Sequence, residues 1–193
     1  MSLDVSTNKI RNTTSSAINL RRVNGPVRIT GNVVTTSSES VAFDYEAIRL
    51  ANTGSYLMAH NAIECRWANC IGISVFSQFG EWPVKGAIVE DNQVNMMPPS
   101  GTVFSDSSAA IEIKGFADSD TVRYNTIRGR ARAAVALETF KLGYPRDNAV
   151  IDNRVDNFQA SLADAVVGRG VLGTRLVHPG TVVDHGERTR IER

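Results

Sequence analysis

The sequence predicts an all-β solenoid, a stack of about six to seven coils with three short strands in each. Three observations predict it. A pattern of aliphatic, two variable residues, Asn, one variable residue and aliphatic recurs along the chain. A second column, small–aliphatic–x–aliphatic, runs in phase with the first. No segment sustains a helical apolar period for three turns, which excludes helical solenoids.

The Asn-centred pattern begins as Val5-x-x-Asn8-x-Ile10 and returns at Ile29/Asn32/Val34, Met58/Asn61/Ile63, Val89/Asn92/Val94, Val122/Asn125/Ile127 and Val150/Asn153/Val155. These six copies lie 24 to 33 residues apart. Thr181-Val182-Val183-Asp184-His185 reads as a degraded seventh copy, with His185 in place of Asn. The aliphatics before each Asn make one short strand and those after it another. Asn suits the tight turn between them, because it tolerates left-handed backbone and its amide can bond equivalents in the coils above and below.

The second column supplies the remaining strand: Ala17-Ile18-x-Leu20, Ala47-Ile48-x-Leu50, Gly72-Ile73-x-Val75, Ala110-Ile111-x-Ile113 and Ala134-Val135-x-Leu137, with Ala165-Val166 as a weaker last member. Alternation at period 2 leaves one face buried and one outward. Stacking at about 4.8 Å then turns each buried position into an aliphatic column.

Composition narrows the function classes. The chain has 193 residues, with 21 Lys+Arg against 20 Asp+Glu. That balance argues against a nucleic-acid or anionic-membrane partner held by bulk electrostatics. No apolar run is long enough for a membrane-spanning helix, so no membrane insertion is expected. Two cysteines, Cys65 and Cys70, are too few for a disulfide scaffold and lack zinc-site spacing. Cys65 has the inward parity of Ile63 and reads as a small buried hydrophobe, and a bridge to Cys70 stays open.

The Asn-centred repeat resembles that of right-handed parallel β-helix proteins, the pectate-lyase-like superfamily, over roughly residues 5 to 187. The resemblance implies a single-stranded right-handed parallel β-helix. The Ala-Ile-x-Leu segments then match the family's first strand, the segments before Asn its second, and those after Asn its third. It also implies a polysaccharide or cell-surface glycan as partner, lying along the outer face of the first strand between flanking loops. Loops Thr35 to Glu46 and Asn95 to Ala109 enter that strand, the latter with the turn signal Met96-Met97-Pro98-Pro99-Ser100-Gly101. Phe76 to Gly86 and Thr139 to Asn148 leave it. The family's activity signatures are mostly missing: no Asn-Thr-Asp, Asp-Asp and Gly-His-Gly set, no Trp-Ile-Asp-His, no Asp-Pro-His-Asp. Val183-Asp184-His185 and Tyr144-Pro145-Arg146 resemble pectate-lyase fragments in the wrong order.

The outward positions of the first strand carry Asn19, Arg49, Ser74, Glu112 and Ala136, then Arg21, Ala51, Phe76, Lys114 and Glu138. Glu112, Lys114 and Glu138 are the candidate catalytic residues, as acid/base carboxylates and a base. Arg49, Phe76, Trp82, Phe116, Phe140 and Tyr144 are the candidate substrate-binding residues, a uronate clamp and aromatic faces for sugar rings. The bland alternative is an opposite-charge ladder on a solvated sheet, with aromatics pinning loops to the stack. Asp91, Asp152, Asp156 and Asp184 fall near one turn column and read as solvated turn acids or oxygen ligands for Ca²⁺. His60 and His185 read as turn and end-coil residues.

Residues 1–3 read as a cloning remnant and 4–193 as one parallel β-helix domain, compatible with a fragment of a longer protein. No signal peptide is visible, which carries no weight if residues 1–3 are such a remnant. Two functions follow. One is a secreted or envelope protein that binds or acts on polysaccharide, lyase-, hydrolase- or epimerase-like. The other is a non-catalytic structural or adhesive module: a stalk, a fibre or a tailspike-like segment.

Overall fold

The computed structural model describes residues 2–37, 45–51, 54, 56–67, 69–105 and 107–193. Residues 38–44, within the loop Thr35 to Glu46, and Met1 lie outside them. The described chain is all-β and contains no helix. Its strands form an eight-stranded sheet, an eleven-stranded sheet that curls back along the chain, and a two-stranded sheet. The pairings between strands are parallel. Parallel sheets linked coil by coil in this way are compatible with a solenoid.

The eight-stranded sheet is built from the segments before Asn. Val5 pairs with Ile29, and the same column runs on through Met58, Val89, Val122 and Val150. The next two members are Leu176 and Ile191. Leu3 belongs to the first of these strands, Leu3–Ser6, opposite Val27. The segments after Asn stack as Ile10, Val34, Ile63, Val94, Ile127 and Val155 in the eleven-stranded sheet. That sheet also holds the first-strand column Ile18, Ile48, Ile73, Ile111, Val135, Ala165 and Val182. The strands Thr126–Glu138 and Arg154–Val167 join its two halves by running unbroken from one column into the other.

These columns meet in one elongated core, in which Ile29, Met58, Ile73, Ile111, Val122 and Ile127 are fully buried. At Gly72 the small residue heading the first strand is required by space. A Cβ on Gly72 would come within 2.6 Å of both the Ala110 carbonyl oxygen and Val94 Cγ1.

The Asn ladder is continuous. Each amide donates to the next Oδ1, from Asn8 through Asn32, Asn61, Asn92 and Asn125 to Asn153, at 2.8–2.9 Å. The left-handed residue of the turn is the one before the Asn: Thr7, Gly31, His60, Asp91, Tyr124 and Asp152 all have φ between 48° and 66°. Turning there aims the Asn side chain inward along the stack, so its amide can replace water for the turn's backbone groups.

The degraded seventh copy is placed differently from the sequence reading. Val182-Val183-Asp184 pairs with Ala165-Val166-Val167 as a first strand, while Leu176 stacks under Val150. His178, at φ 45°, takes the left-handed position, which leaves Pro179 where the ladder Asn would stand. Proline has no side-chain amide, and the ladder stops at Asn153.

Candidate functional site

The register brings the outward first-strand residues together as the sequence predicts. Arg49 lies opposite Ser74, Ser74 opposite Glu112, and Glu112 opposite Ala136. One step along, Phe76 lies opposite Lys114 and Lys114 opposite Glu138. What differs is exposure. Glu112 is only 2% exposed, and Ser74 and Ala136 are buried. Just before Ala109–Gly115, the Ser108 carbonyl extends the ladder by accepting from Ala133 N at 3.3 Å, and Ser107 Oγ is 3.5 Å from Lys114 Nζ. A small second core of Ala109, Ala133, Ala136, Ala163 and Val166 lies beside it, on the same outer side of the sheet.

The charged side chains form a connected set. Lys114 Nζ donates to Glu112 Oε1 at 2.9 Å and lies 3.8 Å from Glu138 Oε2. Arg132, a residue that the sequence reading missed, holds the other Glu138 oxygen at 2.6 Å. Ser74 Oγ approaches Glu112 Oε2 at 3.4 Å, and Arg49 pairs with Glu46 at 3.3 Å. Burial pushes the Glu112 carboxyl up to about 7; Lys114 opposes the shift, and Glu138 and Glu46 reinforce it. Glu112 thus exchanges a proton near neutrality beside a cation and a second carboxylate.

The aromatics divide into two groups. Phe76, only 6% exposed, packs its ring against Phe140 in an edge-to-face pair at 5.0 Å. The Arg49 guanidinium sits 4.9 Å from the Phe76 ring centre, and Lys114 Nζ 5.9 Å from that of Phe140. Phe116, Tyr144 and Trp82 lie further out. Trp82, 42% exposed, closes a turn in which its N–H donates to the Phe79 carbonyl at 3.0 Å, while its own carbonyl accepts from Ser77 Oγ at 2.8 Å.

Three adjacent depressions follow this side of the molecule. The first, about 150 Å³, is lined by Arg49, Phe76, Glu112, Lys114 and Phe140, with Gln78 at its rim. Gln78 also borders a second depression of about 380 Å³ with Phe116 and Leu142. Lys141 links that one to a third of about 650 Å³, where Tyr144, Arg146 and Arg169 meet. Leu142 is 79% exposed at the junction. Seven of the nine candidate residues therefore line these depressions, which form one trough; Glu138 stands behind Lys114 at 3.8 Å, and Trp82 stands on the neighbouring turn.

Cys65 and Cys70 form a disulfide, buried at both ends, that ties the strand after Asn61 to the first strand Cys70–Ser77. The acidic residues weighed for Ca²⁺ are dispersed. Asp152 Oδ1 meets His178 Nδ1 at 2.5 Å, Asp156 pairs with Arg128 and Arg154, and Asp184 accepts from Gly186 N and Thr189 Oγ1. Among the described residues no group of three or more His, Cys, Asp or Glu converges in a way that could hold a metal ion.

No family model matches the chain, and no curated protein matches it significantly.

Proposed function

We propose that the chain is a single-stranded right-handed parallel β-helix of the pectate-lyase-like kind that binds and acts on a polysaccharide laid along its first-strand face. The observation that carries this reading is Glu112: a buried carboxyl poised near pH 7 in the wall of a cavity, 2.9 Å from Lys114. A group so tuned can give or take a proton at a glycosidic linkage or sugar carbon, with Glu138 as the second carboxylate. The linked depressions offer room for further sugar units, with Phe116 and Tyr144 as apolar surfaces and Lys141, Arg146 and Arg169 for acidic substituents. The Cys65–Cys70 bridge supports an extracellular or envelope setting, where disulfides persist.

The test is a panel of pectin, alginate and neutral glycans, assayed for chain cleavage and, by calorimetry, for binding. The parent chain should bind at least one member and shorten it. Glu112→Gln should keep binding and lose cleavage, while Tyr144→Ala should weaken binding. Silence of the parent across the panel would sink the proposal. A second reading, a non-catalytic structural or adhesive module, is favoured by one specific observation. The Phe76–Phe140 pair turns its faces to Arg49 and Lys114, as a pinned wall does. Binding without cleavage in every variant would select it.

A further inference from the structure

Apart from the trough, a second polar column runs through the interior. Asp120, Asn148 and Thr174 each stand two residues before a second-strand aliphatic, and all three are buried. Asn148 shows what the position does. Its Oδ1 accepts from Asp120 N at 2.8 Å, and its Nδ2 donates to the Ala117 carbonyl at 2.9 Å. One coil earlier Asp120 repeats the first contact, its Oδ1 accepting from Ala87 N at 2.7 Å. Its Oδ2 then falls where Asn148 carries Nδ2. Val84 pairs with Ala117 across the two-stranded sheet, so the counterpart of the Ala117 carbonyl for Asp120 is that of Val84.

An ionised Asp120 would set two lone-pair oxygens against each other in a dry site, and Oδ2 has no hydrogen-bond donor among the described residues. We propose that Asp120 is held as a neutral carboxylic acid whose Oδ2–H donates to the Val84 carbonyl, doing the work of the Asn148 amide, so that the pairing of Val84–Lys85 with Ala117–Asp118 is locked by a proton. The charges around it agree. Burial raises the Asp120 carboxyl to about 7 against the opposing Ala87 N–H, and the Asp118 carboxylate adds to the rise. Tyr56, buried across the interior, has its own phenol raised by burial and by Asp120, and stays neutral. Lys85, Arg146 and Asp147 act on Asp118. The Gly86 N–H favours the ionised form but is already committed to the Asp118 carbonyl at 3.0 Å. The lock bears on the trough wall, because Val84 N donates to the Phe116 carbonyl.

The lock predicts a pH-dependent gap between the parent chain and Asp120→Asn, whose amide supplies the donor at every pH. Urea midpoints measured from pH 4 to 9 should move apart in favour of Asp120→Asn up to about pH 7 and stay apart above it. A gap that does not change with pH, or failure of Asp120→Asn to fold, would overturn the proposal. Infrared difference spectra give a second reading in the Glu112→Gln background, which removes the other carboxyl poised near 7. A protonated-carboxyl band present at pH 6 should vanish at pH 8.5 and be missing from the added Asp120→Asn variant. No such band at pH 6 would refute the lock.

Discussion

Replacing Asn92 by Ala should cost far more than replacing Asn8. The Asn92 Oδ1 accepts from both the backbone N and the Nδ2 of Asn61, each at 2.9 Å. Its own Nδ2 donates to Asn125 Oδ1, the Met58 carbonyl and the Glu90 carbonyl, each at 2.9 Å. A net hydrogen bond is worth about 1 kcal/mol, and a buried donor left unsatisfied costs about 1–3 kcal/mol. Asn92 Nδ2 has two hydrogens to share among its three acceptors, so about four bonds' worth of contact vanishes. The Asn61 backbone N is orphaned in a site water does not reach, while Asn61 Nδ2 keeps the Ile29 and Ala59 carbonyls, and the loss should be about 4 kcal/mol. Asn8 sits in the first coil and donates to Asn32 Oδ1 at 2.9 Å and to the Ser6 carbonyl at 3.1 Å, close to solvent. Asn8→Ala should therefore cost about 1 kcal/mol, since water replaces what is removed. Urea unfolding followed in parallel by far-ultraviolet circular dichroism and by Trp67 fluorescence measures both. Similar costs for the two variants, or less than about 1 kcal/mol for Asn92→Ala, would refute the reasoning that the ladder is a dry, cooperative structure.

Two further outcomes follow from the structure. Gly72→Ala should destabilise by about 1–3 kcal/mol, because the new methyl meets a backbone carbonyl that cannot move aside as a flexible side chain would; an unchanged urea midpoint would contradict the close coil spacing there. Glu112 binds its proton more tightly when folded than its usual 4.5, so the folded chain should lose stability as pH rises from about 4.5 to 7 and level off above. Glu112→Gln should remove the Glu112 share of that slope, up to about 3 kcal/mol by the size of the shift, and leave the share due to Asp120; a slope unchanged in that variant would count against the buried carboxyl.

The aliphatic columns and the Asn ladder were legible because both are strictly local patterns repeated at coil spacing. Ile73, Ile111 and Val135 announce their stacking by period 2 alone. The position of Val182-Val183-Asp184 was not legible, since Thr-Val-Val-Asp-His and Ala-Val-Ile-Asp-Asn look alike while pairing in different sheets. Only the three-dimensional course of the last coil, with Pro179 in the Asn position, assigns them. The interior column of Asp120, Asn148 and Thr174 escaped notice because three residue types share one role; their common offset from Val122, Val150 and Leu176 was the signal available. For the candidate site, the sequence placed Arg49, Glu112, Lys114 and Glu138 on one outward face and left open whether it is a binding face or a solvated charge ladder; that Glu112 is buried there was not legible.

By itself, then, the sequence determined which residues stack on which: alternation decides the face, and a side-chain amide repeated at the turn decides the register. Tertiary structure alone decided the environment of those residues. Glu46, Arg49, Phe76 and Phe140 come from distant points of the chain to line one cavity with Glu112, and its proton affinity follows from its burial there. Burial by remote segments leaves no local pattern in a sequence, because desolvation depends on what surrounds a charge, whatever its place in the chain.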